Sequence, residues 1–190
     1  MDANTPALIA RAQAGEQEAF KMLVEQHSRS VFNVAYRIVG NPADAEEAVQ
    51  ETFLRVFKRL DGFEERARFS TWLYRVAANA AMDVVRKRQR HATRESTLED
   101  ATGDLLPFAA ATPGPERVAE GGQITDHIAG ALDRLTPGER AAFTLRHLQG
   151  LSIKEIGEAL DMQTNAVKNA IFRAVQKMRR ELAPFASEMS

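Results

Sequence analysis

The sequence predicts an all-α protein made of two small helical domains joined by a flexible linker. Apolar residues recur at spacings of three and four along most of the 190-residue chain, whereas the alternation expected of strands is almost absent. The helical spacing stops between residues 91 and 122, where three prolines and several glycines stand among polar residues. We therefore predict a helical domain over residues 1–90, a linker over 91–122 and a second helical domain over 123–190.

The N-terminal domain begins with three predicted helices. The first covers residues 6–14 and the second covers residues 16–39, where a Gly-Asn-Pro sequence ends it. The third starts at Pro42 or Ala43 and carries an apolar stripe that is predicted to face the core. This stripe consists of Ala45, Ala48, Val49, Thr52, Phe53, Val56, Phe57 and Leu60. The opposite face is polar around Leu54, a placement that suits the centre of a partner interface.

A fourth helix is predicted after the loop that begins at Asp61. Its apolar side is expected to face the core, and Asn79 and Asp83 share its other side because they are four residues apart. The helix ends in a basic run, RKRQR, at residues 86–90. A solvated helix end explains this run, because cations are favoured near the negative end of the helix dipole. The Asn in mid-helix is explained less well by such a surface, because Asn has a low helix propensity.

The C-terminal domain shows the pattern of a helix-turn-helix. A helix over residues 123–135 is followed by a capping box formed by Thr136 and Glu139, with a proline at the first helical position. Ser152 and Glu155 form a second capping box, which starts the first helix of the motif. A turn at residues 161–163 then leads into a long second helix that begins near Thr164.

The second helix of this motif carries the residue types that read DNA. Its apolar stripe is expected to face the core, and polar and basic side chains between residues 164 and 173 lie on the other side. A helix-turn-helix places the N-terminal half of this helix in the major groove, where Asn, Lys and Arg reach base edges and phosphates. Helical hairpins that never contact DNA have the same pattern, so the motif alone leaves the function open.

Composition excludes several classes of protein. The chain has no Cys, which rules out disulfides and thiolate metal sites, and it shows no signal peptide and no apolar stretch of membrane-spanning length. We expect a cytoplasmic protein without membrane insertion. The net charge is −1, but basic residues crowd at 86–94 and at 168–180. Two basic patches on a nearly neutral chain suit two separate contacts with a polyanion.

Three stretches together resemble bacterial sigma factors of the small, two-domain extracytoplasmic-function group of the sigma-70 family. The first is DAEEAVQETFLRVFKRL at 44–60, similar to the helix that binds the β′ clamp helices of core RNA polymerase. The second is FSTWLYRVAANAAMDVVRKRQR at 69–90, similar to the helix that recognises the promoter −10 element. The third is LDRLTPGERAAFTLRHLQGLSIKEIGEALDMQTNAVKNAIFRAVQKMRREL at 132–182, similar to the domain that reads the −35 element.

The resemblance implies a function in transcription initiation and a set of contact residues. The implied partners are core RNA polymerase, promoter DNA and an anti-sigma protein. Polymerase-binding residues would be Asp44, Glu47, Gln50, Glu51 and Leu54. Residues for the −10 element would be Phe63, Arg66, Arg68, Asn79, Asp83, Arg86, Lys87 and Arg90. Residues for the −35 element would be Thr164, Asn165, Lys168, Asn169, Arg173 and Lys177.

Three alanines depart from the usual family pattern. Ala78 stands where the −10 helix usually has Arg, and Ala166 and Ala170 stand where the −35 helix usually has Thr and Arg. Because a good bidentate contact to a base is worth about 1–3 kcal/mol, the two departures on the −35 helix imply an altered −35 specificity. We expect DNA binding to be retained, because Lys168, Asn169 and Arg173 remain.

Two other functions are compatible with parts of the sequence. A stand-alone helix-turn-helix regulator would use the N-terminal half as a sensor or dimerisation module, but a sensor has no need of the exposed face around Leu54. An enzyme has little support, because no phosphate-binding loop or nucleophile–base set is present and His27, His91, His127 and His147 lack metal-ligand spacing. We therefore expect no catalytic residue, no cofactor and no metal site in this chain.

Overall fold

A computed structural model describes residues 5–64, 68–99, 128 and 130–188. The described ranges are helical and contain no strand, which confirms the predicted all-α class. The N-terminal half consists of α1 (Thr5–Gln13), α2 (Gln17–Val39), α3 (Pro42–Arg59), a 3₁₀ turn (Leu60–Gly62) and α4 (Phe69–Glu99). The C-terminal half has a helical piece at residues 130–133, then α5 (Pro137–Phe143), a π-helical turn (Thr144–Leu148), α6 (Ile153–Leu160) and α7 (Thr164–Glu188).

Local sequence signals account for most helix ends. Asn41 caps α3 by accepting a hydrogen bond from the Asp44 amide at 2.9 Å, and Pro42 occupies the first turn. The capping boxes predicted at Thr136 and Ser152 are both present, at the starts of α5 and α6. The helix α4 continues to Glu99, beyond residue 90. The remainder of the predicted linker, from residue 100 to residue 122, lies outside the described residues.

The core is built mainly from the predicted stripes. In α3, Ala45, Ala48 and Val56 are buried, and in α7 Val167, Ala174 and Met178 are buried. One member of the α3 stripe differs from the prediction, because Phe57 is 63% exposed, although its ring makes a T-shaped contact with Phe20 at 5.1 Å between centroids. It lies in the last turn of α3.

The two halves share one continuous core in this structure. Leu73 of α4 and Ile156 of α6 are both fully buried in the same apolar cluster. At the edge of this contact Arg75 donates to Glu158 at 2.5 Å. The side chain of Arg140 lies over the left-handed Gly40 at the end of α2, so closely that a Cβ there would stand 2.6 Å from its terminal nitrogen. The φ of 84° is the reason that a glycine is needed here, because the tip of the flexible Arg140 side chain can shift to admit a Cβ.

The turn of the helix-turn-helix depends on a second close approach. Asp161 adopts a left-handed conformation with φ of 53°, and the amide of Met162 donates to the carbonyl of Gly157 at 2.9 Å. A Cβ on Gly157 would lie 2.8 Å from the Met162 carbonyl oxygen. This glycine therefore allows the chain to turn back tightly and sets the angle at which α7 leaves α6.

Candidate nucleic-acid interface

A groove between α3 and α4 brings together residues that the sequence assigned to two different partners. Its volume is about 310 Å³. Four residues expected to contact polymerase line one wall, and the acidic and basic side chains of α4 line the other. The lining is formed by Glu47, Gln50, Glu51, Leu54, Arg55, Ala80, Asp83, Val84, Lys87 and Arg90.

The residues expected to bind polymerase lie in order along the exposed face of α3. Asp44 is tied to the helix start, where its carboxylate accepts from the Asn41 side chain at 2.7 Å. Glu47 and Gln50 are exposed, and Glu51 accepts from Arg55 at 2.6 Å. Leu54 is 56% exposed. An exposed leucine surrounded by carboxylates and an amide gives this surface an apolar centre with a polar rim, which is the usual anatomy of a protein interface.

The residues expected to contact the −10 element differ in how accessible they are in the structure. Phe63 is buried in an aromatic cluster, with ring centroids 5.5 Å from Phe69 and 5.1 Å from Trp72. Arg66 lies outside the described residues, whereas Arg68 is exposed and Asn79 is half-buried on α4. Phe63 therefore anchors the loop in this structure, while Arg68 and Asn79 remain accessible.

The start of this loop is held by a residue that the sequence did not reveal. The side chain of Gln13, at the end of α1, donates to the carbonyls of Leu60 at 2.8 Å and Phe63 at 3.0 Å. A glutamine at a helix end has no distinctive pattern in the sequence. Its partners lie about fifty residues away, so only the packing of α1 onto the 3₁₀ turn shows its role.

The basic end of α4 pairs with the acidic face of α3. Lys87 donates to Glu47 at 2.8 Å, and this hydrogen bond is the main reason that the pKa of Lys87 lies above its ordinary value. Arg88 donates to Asp44 at 2.8 Å. The first pair connects a side chain that the sequence assigned to DNA with a carboxylate that it assigned to polymerase, and the second binds Arg88, from the same basic run, to another of those carboxylates.

Asp83 is paired on both sides. Arg55 of α3 lies 2.9 Å from its carboxylate and Arg86 lies 3.0 Å from it. Arg55 itself was not among the expected site residues, although its position four residues after Glu51 is a recognisable ion-pair spacing. Arg90 is exposed at the rim of the groove.

The predicted −35 residues lie mainly on one exposed surface of α7. Thr164 is the first residue of the helix, and Thr164, Asn165, Lys168 and Asn169 are all exposed. Phe172 is exposed on the same surface, with 63% of the residue accessible. This surface offers amides, a cation and an apolar ring, which are side chains able to contact base edges, phosphates and thymine methyl groups.

Arg173 and Lys177 are bound by a carboxylate of α5. The Arg173 Nε donates to Glu139 at 3.0 Å and the Lys177 Nζ donates to it at 2.7 Å. Arg173 keeps 60% of its side chain exposed, whereas Lys177 keeps 31%. Burial by itself raises the pKa of Glu139, but the hydrogen bonds from Lys177, the Thr136 amide and Arg173 outweigh it and hold the pKa below its ordinary value.

Two of the three alanine departures are at buried positions. Ala78 on α4 and Ala170 on α7 are both part of the apolar core, whereas Ala166 is exposed near the start of α7. In this arrangement neither Ala78 nor Ala170 belongs to an accessible face. A small side chain suits both positions because an arginine there would have to displace core side chains.

Comparisons with known proteins match both halves of the chain. A model of sigma-70 region 2 matches residues 23–91, and a model of sigma-70 region 4 matches residues 126–178. The ECF RNA polymerase sigma factor SigE of Mycolicibacterium smegmatis is 39% identical over 97% of this chain and 69% of its own length. The chain belongs to the ECF sigma factors of the sigma-70 family. The resemblance expected from the three sequence stretches is confirmed.

Other relatives align with this sigma factor over nearly their whole length. SigW of Bacillus subtilis is 29% identical over 92% of this chain and 94% of its own, and the ECF sigma-E factor of Haemophilus influenzae is 30% identical over 94% and 95%. CnrH, solved in complex with the cytosolic domain of CnrY, superposes with a TM-score of 0.60 at 27% identity over 96% of this chain and 99% of that chain. The sigma factor RpoE of Bartonella quintana shares the fold, with a TM-score of 0.62 at 21% identity over 86% and 96%.

A sigma factor directs RNA polymerase to promoters, so the alternative of a stand-alone regulator is not favoured. Within the described ranges, no group of three or more His, Asp or Glu side chains is placed to hold a metal ion. Among the helices that the structure describes, none is long and apolar enough to cross a membrane.

Proposed function

We propose that this sigma factor divides promoter recognition among three surfaces. The exposed face of α3 binds the β′ clamp helices of core RNA polymerase, α4 and the loop before it contact the −10 element, and α7 reads the −35 element. The observation that supports this division most directly is the arrangement of α3 and α4, which places an acidic face with an apolar centre beside a basic helix end.

Binding to polymerase rests on the exposed row from Asp44 to Leu54. An exposed apolar side chain within a polar surface contributes to an interface when a partner removes it from water. The carboxylates around it would steer the chain towards a basic partner surface. We assign Asp44, Glu47, Gln50, Glu51 and Leu54 to this surface.

Contact with the −10 element rests on the exposed polar side of α4. On this proposal Asn79 of α4 and Arg68 of the preceding loop reach bases, and Arg86, Lys87 and Arg90 hold phosphates. Asp83 orients Arg86 through the pair at 3.0 Å. Arg66 and Phe63 remain part of the proposed loop contact, which would require Phe63 to leave the aromatic cluster described above. Flipping a base out of the stack costs a few kcal/mol. The contacts of the loop with the flipped base would have to offset this cost.

Reading of the −35 element rests on the exposed surface of α7. The capping box of α6 and the tight turn at Gly157 and Asp161 hold this helix at a fixed angle. We propose that Thr164, Asn165, Lys168, Asn169 and Arg173 enter the major groove. Lys177 lies at the far end of this surface, where it is bound by Glu139.

We also propose that the chain is regulated by a sequestering anti-sigma protein, as the family resemblance implies. The relative CnrH was solved in complex with a second protein, the cytosolic domain of CnrY. On this proposal the chain itself performs no catalysis, because the bound polymerase supplies the chemistry, and it acts in the cytoplasm together with that polymerase.

Run-off transcription with core polymerase on a promoter library tests the proposal. We expect Leu54→Ala to lower the affinity for core polymerase, whereas Met22→Ala, which removes another exposed apolar side chain outside the proposed surface, leaves it unchanged. We expect Lys168→Ala to weaken −35-dependent initiation and to leave the affinity for polymerase intact, with Lys21→Ala as the matched control.

The division of labour is wrong if Lys168→Ala reduces polymerase affinity and initiation equally. The sigma function itself would fail a stricter test, in which the chain adds no initiation above core polymerase alone on any member of the library. Tight DNA binding by the free chain without association with polymerase would instead favour the stand-alone regulator.

A further inference from the structure

Glu139 is a buried carboxylate between α5 and the DNA-reading helix α7. Only 5% of its side chain is exposed. It occupies the third position of α5, where it completes the capping box with Thr136: the Glu139 amide donates to the Thr136 hydroxyl at 3.3 Å and the Thr136 amide donates to the Glu139 carboxylate at 3.0 Å. The capping role explains a Glu or a Gln at this position equally well.

The charge of Glu139 has a second use, because two cations of α7 converge on it. One carboxylate oxygen accepts from the Arg173 Nε, and the other accepts from the Lys177 Nζ. A buried carboxylate is costly unless it is paired and hydrogen-bonded. Neither cation is needed for the cap, so the convergence of both on one carboxylate links α5 directly to the side chains of α7.

The two cations are held differently. Asn169, Arg173 and Lys177 follow one another at intervals of four residues, and this row rotates gradually from the exposed surface of α7 towards α5. Asn169 is therefore exposed, Arg173 lies at the edge, and Lys177 is half-buried. Lys177 presents its only charged group to Glu139. Arg173 uses Nε for the pair, which leaves the two terminal amino groups of its guanidinium outside this hydrogen bond, and 60% of its side chain is exposed.

We propose that Glu139 is a positioning residue for −35 recognition, which holds Arg173 by Nε so that its terminal amino groups point towards the DNA, while Lys177 acts as the counter-ion of the carboxylate. This inference rests on the proposed reading of the −35 element by α7. On this inference Lys177 does not contact DNA but neutralises Glu139. Glu139, a residue of α5, then contributes to the base specificity of the promoter complex.

Restraint of Arg173 matters because a free arginine side chain samples many rotamers. Ordering one such side chain before binding improves affinity about threefold to tenfold, since the entropy is not lost at the moment of contact. A bidentate arginine also selects one base over another only when its fork is correctly oriented. The restraint should therefore affect discrimination between sequences more than total affinity for DNA.

The test compares the base preferences of holoenzymes that carry variants of the full-length chain. Each is assembled with core polymerase and selects from a promoter library that is randomised in the −35 region. Glu139→Gln keeps the cap, since a Gln can fill this position, and removes the charge. We expect it to reduce discrimination about threefold to tenfold at the base pairs where Arg173→Ala also loses it. The affinity of this variant for non-cognate DNA should not fall, because the substitution removes a negative charge that would repel the DNA phosphates.

A double variant separates positioning from a structural effect. In the Arg173→Ala background, Glu139→Gln should cause no additional loss, because the residue through which it acts is absent. Arg173→Lys retains a cation beside Glu139 but lacks the guanidinium fork, so it should lose discrimination as Arg173→Ala does. Lys177→Met should leave the base preferences unchanged and the salt dependence of binding unaltered, whereas a lost phosphate contact would lower the log–log slope by about 1.

The possible failures are distinguishable. If Arg173→Ala has no effect on −35-dependent initiation, the proposed DNA surface is wrong and the positioning role is lost with it. If Arg173→Ala has the expected effect but Glu139→Gln has none, or if Glu139→Gln is equally harmful with and without Arg173, the DNA surface stands and the positioning role is overturned. Full discrimination by Arg173→Lys would also overturn it.

Discussion

The two regions proposed to contact DNA pair their cations with carboxylates in different ways. At the end of α4, Lys87 pairs with Glu47, and both side chains are about half exposed. On α7, Arg173 and Lys177 pair with Glu139, whose carboxylate is almost completely buried. Both regions therefore hold basic side chains beside acids before DNA is present, but only the second encloses the acid.

This difference in burial determines how easily each ion pair can be broken when a partner binds. An exposed pair gains little, because water and salt compete with each partner at small cost. The Glu47 and Lys87 pair can therefore open when polymerase and DNA each bind one of its members. A buried carboxylate cannot release its cations so easily, because it would remain desolvated without a partner. The pairs of Glu139 should consequently persist in the promoter complex.

The largest expected effect is on stability, from Glu139→Ala. This change removes the side-chain half of the capping box and the shared partner of Arg173 and Lys177. We expect a loss of about 2 kcal/mol in the free energy of unfolding, less than for a fully buried pair because both cations retain contact with water. Urea denaturation of the full chain measures it. If Glu139→Ala lowers the free energy of unfolding no more than Glu47→Ala does, the buried pairs are not more stabilising than the exposed pair.

A smaller effect is expected in the acid dependence of stability. The pKa of Glu139 is lowered in the folded state, so as the pH falls below the ordinary value of 4.5 the unfolded chain binds the proton first. This contribution to stability is present above that value and is lost as the pH falls through the lowered pKa. Thermal unfolding between pH 6 and about pH 3 should therefore show a weaker dependence for Glu139→Gln than for the native chain. Parallel curves would contradict the tight pairing of Glu139.

The smallest effect is expected for the exposed pair. Replacing Lys87 by Met, or Glu47 by Gln, should leave the urea midpoint unchanged within error, because exposed ion pairs contribute little and are screened by salt. The same Lys87→Met variant should reduce −10-dependent initiation, since the cation is then missing from the DNA contact. A clear loss of stability that disappears in high salt would show that this pair contributes more to the fold than its exposure suggests.

Local sequence signals predicted most of the fold. Thr136 and Ser152 cap helices where residue type and spacing indicated, because a cap is decided within four residues of chain. The helix-turn-helix was likewise recognisable, and the exposure of Leu54 was confirmed. Phe57 was placed wrongly in the core, because periodicity identifies a helix face but not how far a neighbouring helix extends over it.

The candidate site was predictable in its residue types and not in its pairings. The basic runs and the polar face of α7 were visible in the sequence, and their assignment to DNA stays a prediction. Glu139 was recognised only as a capping residue, since its contacts with Arg173 and Lys177 span 34 and 38 residues. The burial of Phe63 and Ala170 was equally hidden, because each depends on elements distant in the chain.

The sequence by itself determined the helices, their ends and the family, because these follow from interactions within a few turns and from motifs that need no packing. Only the tertiary structure decided which carboxylate holds which cation, and whether water reaches the pair. The strength of a charge pair depends on desolvation, and desolvation is a property of the packed helices around it. For this reason the sequence does not show that Glu47 is exposed and Glu139 is buried, and only the folded protein distinguishes the two pairs.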